Sequence, residues 1–269
     1  MQVREFQRLK DQVVVVTGAA QGLGEALAIR LSEEGAKVVV GDMNLEGAQK
    51  IADQLTDGFA QKLNVCDYDS CVALMDAAVA KYGRVDKVVA NAGVVRSDAI
   101  EDMTYKEFSF VVDVNLNGYF NTAKAAVAQF RRQNGGGVIV QINSKSGKKG
   151  SAKNCAYSAS KFGGIGLTQS FALELCAYNI KVNAVCPGNF LDGPLWSDPV
   201  RGLFVQYLEA GKVPGAKTVA DVRRYYEAKV PMNRGCLPVD VARAVMYCVE
   251  QKYETGQAIP VTGGQVMLN

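Results

Sequence analysis

The sequence contains no histidine. That absence excludes Ser-His-Asp and Cys-His catalysis and every His-ligated zinc site. Acid–base chemistry near neutral pH must then fall to a tyrosine, lysine, cysteine or carboxylate with a shifted pKa. No run approaches the roughly 20 consecutive apolar residues of a membrane-spanning helix. The segment from Met1 to Asp11 carries Arg4, Glu5, Lys10 and Asp11 and lacks the apolar stretch of a secretory signal. The seven cysteines include no Cys-x-x-Cys pair, a set that fits reduced thiols and predicts a cytoplasmic protein without a bound metal. The net charge is only +3, with Lys and Arg spread along the chain, so no basic stripe marks a nucleic-acid surface.

What is present alternates in kind. Short apolar, β-branched runs read as buried parallel strands: Val13–Thr17, Lys37–Gly41, Val85–Ala90, Val138–Ile142, Lys181–Val185 and Ala258–Val261. Between them lie segments with helical spacing, such as Gly24–Glu34 and Ser70–Tyr82. Repeated strand–helix units predict one α/β domain over residues 1–269, a doubly wound parallel sheet with helices on both faces. Six of the seven prolines fall between Pro187 and Pro238, among glycines and aromatics. That stretch reads as a loop-rich insertion with short helices, a candidate lid over about residues 188–235, because ligands in open α/β sheets bind beyond the carboxyl ends of the strands.

The first strand runs into Thr17-Gly18-Ala19-Ala20-Gln21-Gly22-Leu23-Gly24, and a helix follows. Glycines there let the backbone turn tightly and approach a pyrophosphate, which the free N–H groups of the helix start would hold. A plain strand-to-helix turn is the alternative. Asp42 closes the second strand, 20 residues after Gly22, where a carboxylate would accept the hydroxyls of an adenosine ribose and repel a 2′-phosphate. No Arg or Lys lies between Gly18 and Gly24, so NAD is favoured over NADP; capping of the next helix is the other role open to Asp42.

Tyr157 and Lys161 stand four residues apart in a segment that looks helical, hence on one face. The ammonium would pull the phenol pKa down toward the working pH. Ser144 follows the strand Val138–Ile142, 13 residues before Tyr157. The set formed by the glycine turn, Asn91-Ala92-Gly93, Asn115, Ser144, Tyr157-x-x-x-Lys161 and Pro187-Gly188 resembles the short-chain dehydrogenase/reductase family over about residues 11–269. The resemblance implies a Rossmann-type fold, nicotinamide-dependent hydride transfer and a homotetramer, with Val261–Asn269 as one contact. It implies Tyr157 as acid/base, Lys161 as its modulator and a ribose ligand, Ser144 as a bond to the substrate oxygen, and Asn115 as the holder of a relay water. Gly18, Gln21, Gly22, Leu23, Gly24, Asp42, Asn64, Val65, Asn91, Ala92, Gly93, Pro187 and Gly188 would line the cofactor cleft. Two departures stand out: Asn64 occupies a position where the family often has Asp, and no Thr follows Pro187-Gly188 to bond the carboxamide.

Four lysines, Lys145, Lys148, Lys149 and Lys153, fall within nine residues on the loop between Ser144 and Tyr157. With Arg96 they would make a cationic rim suited to an anionic substrate such as a phosphorylated sugar or polyol. A solvated loop without a ligand role is the alternative. Within the family, Gln141–Lys148, Lys161–Gly164, Val230-Pro231, Arg234–Cys236 and Val261–Met267 resemble polyol-phosphate dehydrogenases, while Arg234 reads as a structural ion-pair partner. A dehydrogenase of an unphosphorylated sugar or polyol, and a non-catalytic NAD-binding regulatory protein, are the competing readings.

Overall fold

The computed structural model describes residues 7–267. The N-terminal residues 1–6 and, at the expected C-terminal contact, Leu268 and Asn269 lie outside the described residues. Seven parallel strands form one sheet: β1 (Val13–Thr17), β2 (Lys37–Asp42), β3 (Gly58–Lys62), β4 (Lys87–Ala90), β5 (Gly137–Ile142), β6 (Ile180–Pro187) and β7 (Ala258–Val261). Their order is β3-β2-β1-β4-β5-β6-β7. The strand order reverses between β1 and β4, and a crevice for ligands opens there at the carboxyl ends.

The central strands are apolar throughout because both faces are covered. Side chains alternate across a strand. Val14, Val16, Val38, Val40, Val138 and Val140 therefore enter one core, with Leu27 and Leu31 of α1 (Gly22–Glu33) and Val241, Val245 and Met246 of α10 (Pro238–Glu250). Val13, Val15, Val39, Val88 and Ile139 enter the opposite core. There they meet α3 (Tyr68–Tyr82), α5 (Gly118–Arg132) and α6 (Cys155–Leu175) through Leu74, Met75, Phe130 and Leu175.

The sequence reading found six strands and missed β3. Its residues, Gly-Phe-Ala-Gln-Lys, show neither an apolar run nor a fully buried face. β3 is an edge strand paired only to β2, and its register, from Val38↔Gly58 to Asp42↔Lys62, supplies what its side chains do not. The fourth strand begins at Lys87 rather than Val85, since the Val85 backbone is instead bonded by Gln133. The insertion after β6 is more ordered than a loop-rich reading suggests. It folds as α7 (Pro194–Ser197), α8 (Leu203–Glu209) and α9 (Val219–Ala228) around a core of its own. Trp196 is the hub, with ring centroids 5.2 Å from Phe204, 5.6 Å from Tyr207 and 4.9 Å from Tyr226. Among the described residues no helix is long and apolar enough to cross a membrane.

Candidate active site

The glycine turn is built for close approach. Gly18 has φ +64°, and a Cβ there would meet the Ala92 backbone at 2.7 Å. A Cβ on Gly24 would meet the Gly18 carbonyl at 2.2 Å. Asn91 holds the turn from the end of β4: its Nδ2 donates to the Thr17 and Gly18 carbonyls at 3.0 and 2.9 Å. α1 then starts without a side-chain cap from Gln21, and a Glu25 carboxylate oxygen accepts from Gly22 N. The lid reaches this turn through Pro194, whose ring carbons lie 3.1 Å from where a Gly22 Cβ would stand. Asp42 does not cap the following helix; Asn44 does. Its carboxylate instead accepts from Ala20 N at 3.0 Å and Asn44 N at 2.9 Å, which fixes an anion beside the glycine turn.

These features fit a dinucleotide. The expected flank at Asn64 and Val65 is also at hand, with the Asn64 amide oxygen accepting from Cys66 N and Val65 buried against Gly118. Past Pro187, Gly188 N donates to Val261 O at 2.8 Å. Two buried polar atoms nearby have no hydrogen-bond partner among the described residues, Asn189 Nδ2 and Gln265 Oε1. Asn189 follows Pro187-Gly188 directly, so a free amide donor stands close to where the family's Thr is missing.

α6 carries Tyr157 and Lys161, the pair expected to transfer the proton. The Tyr157 hydroxyl faces the Ser144 side chain, and the Lys161 Nζ lies 5.5 Å from the centre of the Tyr157 ring. Lys161 is buried and donates to Ile142 O at 3.0 Å, at the end of β5. The Ser144 oxygen accepts from Ser146 N at 3.1 Å and caps the 3-10 turn Lys145–Gly147. Sequence alone predicts that Lys161 pulls the phenol down. In the structure burial sets the direction instead: it raises the Tyr157 pKa, opposed by Ser144, and it pushes the Lys161 ammonium down to about 8. A cation placed against this pair would shift the phenol back toward phenolate.

Asn115 sits in a π-turn, Asp113–Asn117, of the kind that recurs at functional sites. Its amide oxygen accepts from Val94 N, and its Nδ2 donates to Val94 O and Ser160 Oγ. Both amide hydrogens are thus committed, so the side chain fixes the β4 loop to α6 and has no hydrogen left to give a relay water. A supporting network escaped the sequence reading. Asn143 Nδ2 donates to Lys161 O and Gln141 Oε1, Asn143 Oδ1 accepts from Ser144 N, and Thr168 and Tyr119 extend the chain below. Polar residues at the end of an otherwise apolar strand, Gln141 within it and Asn143 just past it, were the available signal.

The loop lysines divide. Lys153, at φ +56°, donates from Nζ to Ala210 O on the lid at 2.6 Å, and its carbonyl accepts from Ser97. Lys145 is near Lys149, whereas Lys148 lies toward Cys186, whose thiol burial pushes up to about 11. Arg96 turns away to α4 (Tyr105–Val112), with its guanidinium 5.3 Å from the Phe110 ring centre. Arg234 is ion-paired with Asp240, as the sequence suggested. The lid adds Tyr207, near Tyr157 and Ser97, and Tyr157 packs against the lid core. Among the described residues no cluster of carboxylates and cysteines could hold a metal.

Comparison with known proteins agrees with this geometry. Residues 12–197 match the family model described as short chain dehydrogenase. The chain is 38% identical to sorbitol-6-phosphate 2-dehydrogenase of Escherichia coli (strain K12), over 96% of this chain and 99% of that protein. It is 33% identical to the 3-oxoacyl-[acyl-carrier-protein] reductase FabG of Thermotoga maritima, over 97% and 100%. The crystal structure of sorbitol-6-phosphate 2-dehydrogenase from Erwinia amylovora superposes with a TM-score of 0.87 at 39% identity, covering 95% of this chain and all of that one. A short-chain type dehydrogenase/reductase from Mycobacterium marinum gives 0.83 at 27%, covering 97% and 98%. The reversal point of the sheet, the glycine turn beside it and the buried tyrosine–lysine pair thus have one common explanation: the chain belongs to the short-chain dehydrogenase family and is a nicotinamide-dependent oxidoreductase.

Proposed function

We propose that this enzyme oxidises C2 of sorbitol 6-phosphate to give fructose 6-phosphate, with NAD as the acceptor. The observation that carries the reading is the position of the lysine loop: it runs from Ser144 to the helix that bears Tyr157, so cationic groups rim the proton-transfer site. The likeness to the two sorbitol-6-phosphate dehydrogenases points the same way. Asp42, pinned beside the glycine turn with no Arg or Lys in that turn, favours NAD because a carboxylate repels a 2′-phosphate.

Bound NAD supplies the hydride acceptor and a positive charge near the phenol. Gly18, Gln21, Gly22, Leu23 and Gly24 would hold its pyrophosphate, Asp42 its ribose, Lys161 the nicotinamide ribose, and Asn189 Nδ2 the carboxamide that lacks its usual Thr. Ser144 orients the C2 hydroxyl. Tyr157, as phenolate, takes the hydroxyl proton while the C–H electron pair leaves as hydride. Lys161, buried one helical turn away, stabilises the phenolate it faces. The lid aromatics exclude water from the reacting carbon.

We further read the enzyme as a cytoplasmic homotetramer. Its seven cysteines are all free. α5 and α6 expose Phe120, Phe162 and Leu173, apolar surface that subunit contact would cover. The test of function is a set of initial rates with sorbitol 6-phosphate and sorbitol, each with NAD and NADP, and with a 3-oxoacyl thioester, with NADH and NADPH. Sorbitol 6-phosphate with NAD should give the highest kcat/KM. A higher value for sorbitol would favour a dehydrogenase of free polyols, and a higher value for the thioester with NADPH would favour a reductase like FabG.

A further inference from the structure

The loop lysines are only part of the positive charge at the lip. Lys212, just beyond α8, and Lys229, just beyond α9, belong to the lid and come from a different part of the sequence. Each lies over aromatic rings: Lys212 Nζ is 3.8 Å from the centre of Tyr207, and Lys229 Nζ is 4.0 Å from Tyr225 and 5.5 Å from Tyr226. Tyr207 in turn neighbours Tyr157, which places this group beside the proton-transfer site. Lys212 stands within electrostatic reach of Lys145, Lys229 and Lys153, and Lys145 within reach of Lys229 and Lys149.

Among the described residues none of these five lysines makes an ion pair with a carboxylate. Three arginines of the same region are by contrast paired: Arg223 with Asp192 and Glu227, Arg224 with Asp221, Arg234 with Asp240. Burial and the neighbouring lysines together push the Lys212 ammonium down to about 8, as expected when like charges gather in a half-buried place without an anion. A bond from Lys153 Nζ to Ala210 O ties loop to lid, and Lys153 has a left-handed backbone. Such a convergence is unfavourable unless a ligand brings the missing negative charge.

We propose that Lys212 and Lys229 of the lid, with Lys145 and Lys149 of the loop, form a clamp for the phosphate monoester dianion of the substrate. This deepens the polyol-phosphate reading and rests on it. The dianion sits between two elements that otherwise repel, so binding it draws the lid onto the loop. The three lid rings hold the ammonium groups in place by cation–π contact.

The experiment compares the wild-type enzyme with Lys212→Gln, Lys229→Gln and the double variant. Two readouts are used: KM for sorbitol 6-phosphate and for sorbitol, and the rise in Tm produced by inorganic phosphate without substrate. The double variant should raise KM for the ester about tenfold or more, by a larger factor than for sorbitol, since charge-assisted bonds to the phosphate are lost. Its phosphate-induced Tm shift should vanish, and Lys212→Arg should restore much of both. Equal KM factors for ester and sorbitol, or an undiminished Tm shift, would overturn the clamp. A Tm shift that vanishes with the ester KM unmoved would overturn its role in substrate binding and leave free phosphate as the ligand. If the wild type prefers sorbitol while inorganic phosphate still protects it through these lysines, the substrate reading fails and the anion site stands.

Discussion

At the scale of single residues, the proposed chemistry turns on a phenol and an amine that burial disturbs in opposite directions. Tyr157→Phe keeps the ring and removes the proton-transfer group, so turnover should fall by roughly 10²–10⁴-fold while NAD binding, followed by fluorescence titration, stays near wild type. Lys161 gives a stability prediction of definite sign. Its folded pKa of about 8 lies below its ordinary value of 10.5. Between those values the unfolded chain binds more protons than the folded one, so stability rises with pH there and the penalty is fully present below about 8. Urea unfolding should show the wild type gaining at most about 3 kcal/mol relative to Lys161→Met from pH 8 to 10.5. A constant difference between the two would show that the amine titrates normally. Asp42 carries a third prediction. Asp42→Ala should weaken NAD by roughly tenfold, the value of one or two good hydrogen bonds, and narrow the gap to NADP; direct titration with both dinucleotides checks it.

At the scale of elements, the junction of β5 and α6 sets the site. Asn143 links the strand end to the helix through Lys161 O, and two glycines of α6 test how tightly the pieces meet. A Cβ on Gly164 would stand 2.3 Å from Gln141 Nε2 and 3.0 Å from Asn143 Nδ2, inside a buried network that cannot give way. A Cβ on Gly166 meets nothing within 4 Å. Alanine gains helix propensity at both positions, by about 1 kcal/mol. At Gly164 overpacking outweighs that gain. Gly164→Ala should lose about 1–3 kcal/mol and lower kcat by displacing Lys161, while Gly166→Ala should hold or raise Tm; thermal melts of the two variants side by side decide it. This element was only partly legible. The i, i+4 spacing of Tyr157 and Lys161 announced their shared face, because helix geometry is local. The buried amides beneath them were not foreseen, because their partners lie on other elements. β3 escaped for the same reason: edge pairing to β2, rather than its own side chains, makes it a strand.

At the scale of the whole molecule, a modest net charge hides a strong local field. The formal total is +3, yet Lys145, Lys149, Lys153, Lys212 and Lys229 gather at one lip. Salt screens such a field, with a Debye length of about 30 Å at 0.01 M and about 8 Å at 0.15 M. Raising ionic strength across that range should therefore raise KM for sorbitol 6-phosphate severalfold and leave KM for sorbitol nearly unchanged. Parallel salt dependence for both substrates would show that the charge does not act on the phosphate.

The sequence by itself determined the parallel α/β sheet, the glycine turn, Asp42, and the Tyr157–Lys161–Ser144 set. Each is written in contiguous residues or in a periodicity that one strand or helix obeys alone. Tertiary structure decided the rest. It turned Arg96 toward Phe110, committed the Asn115 amide to Val94 and Ser160, and reversed the expected direction of the Tyr157 pKa. It also brought Lys212 and Lys229 to a loop some 60 to 80 residues earlier in the chain. Burial and long-range electrostatics depend on which elements pack against one another, and that information is spread over the whole fold.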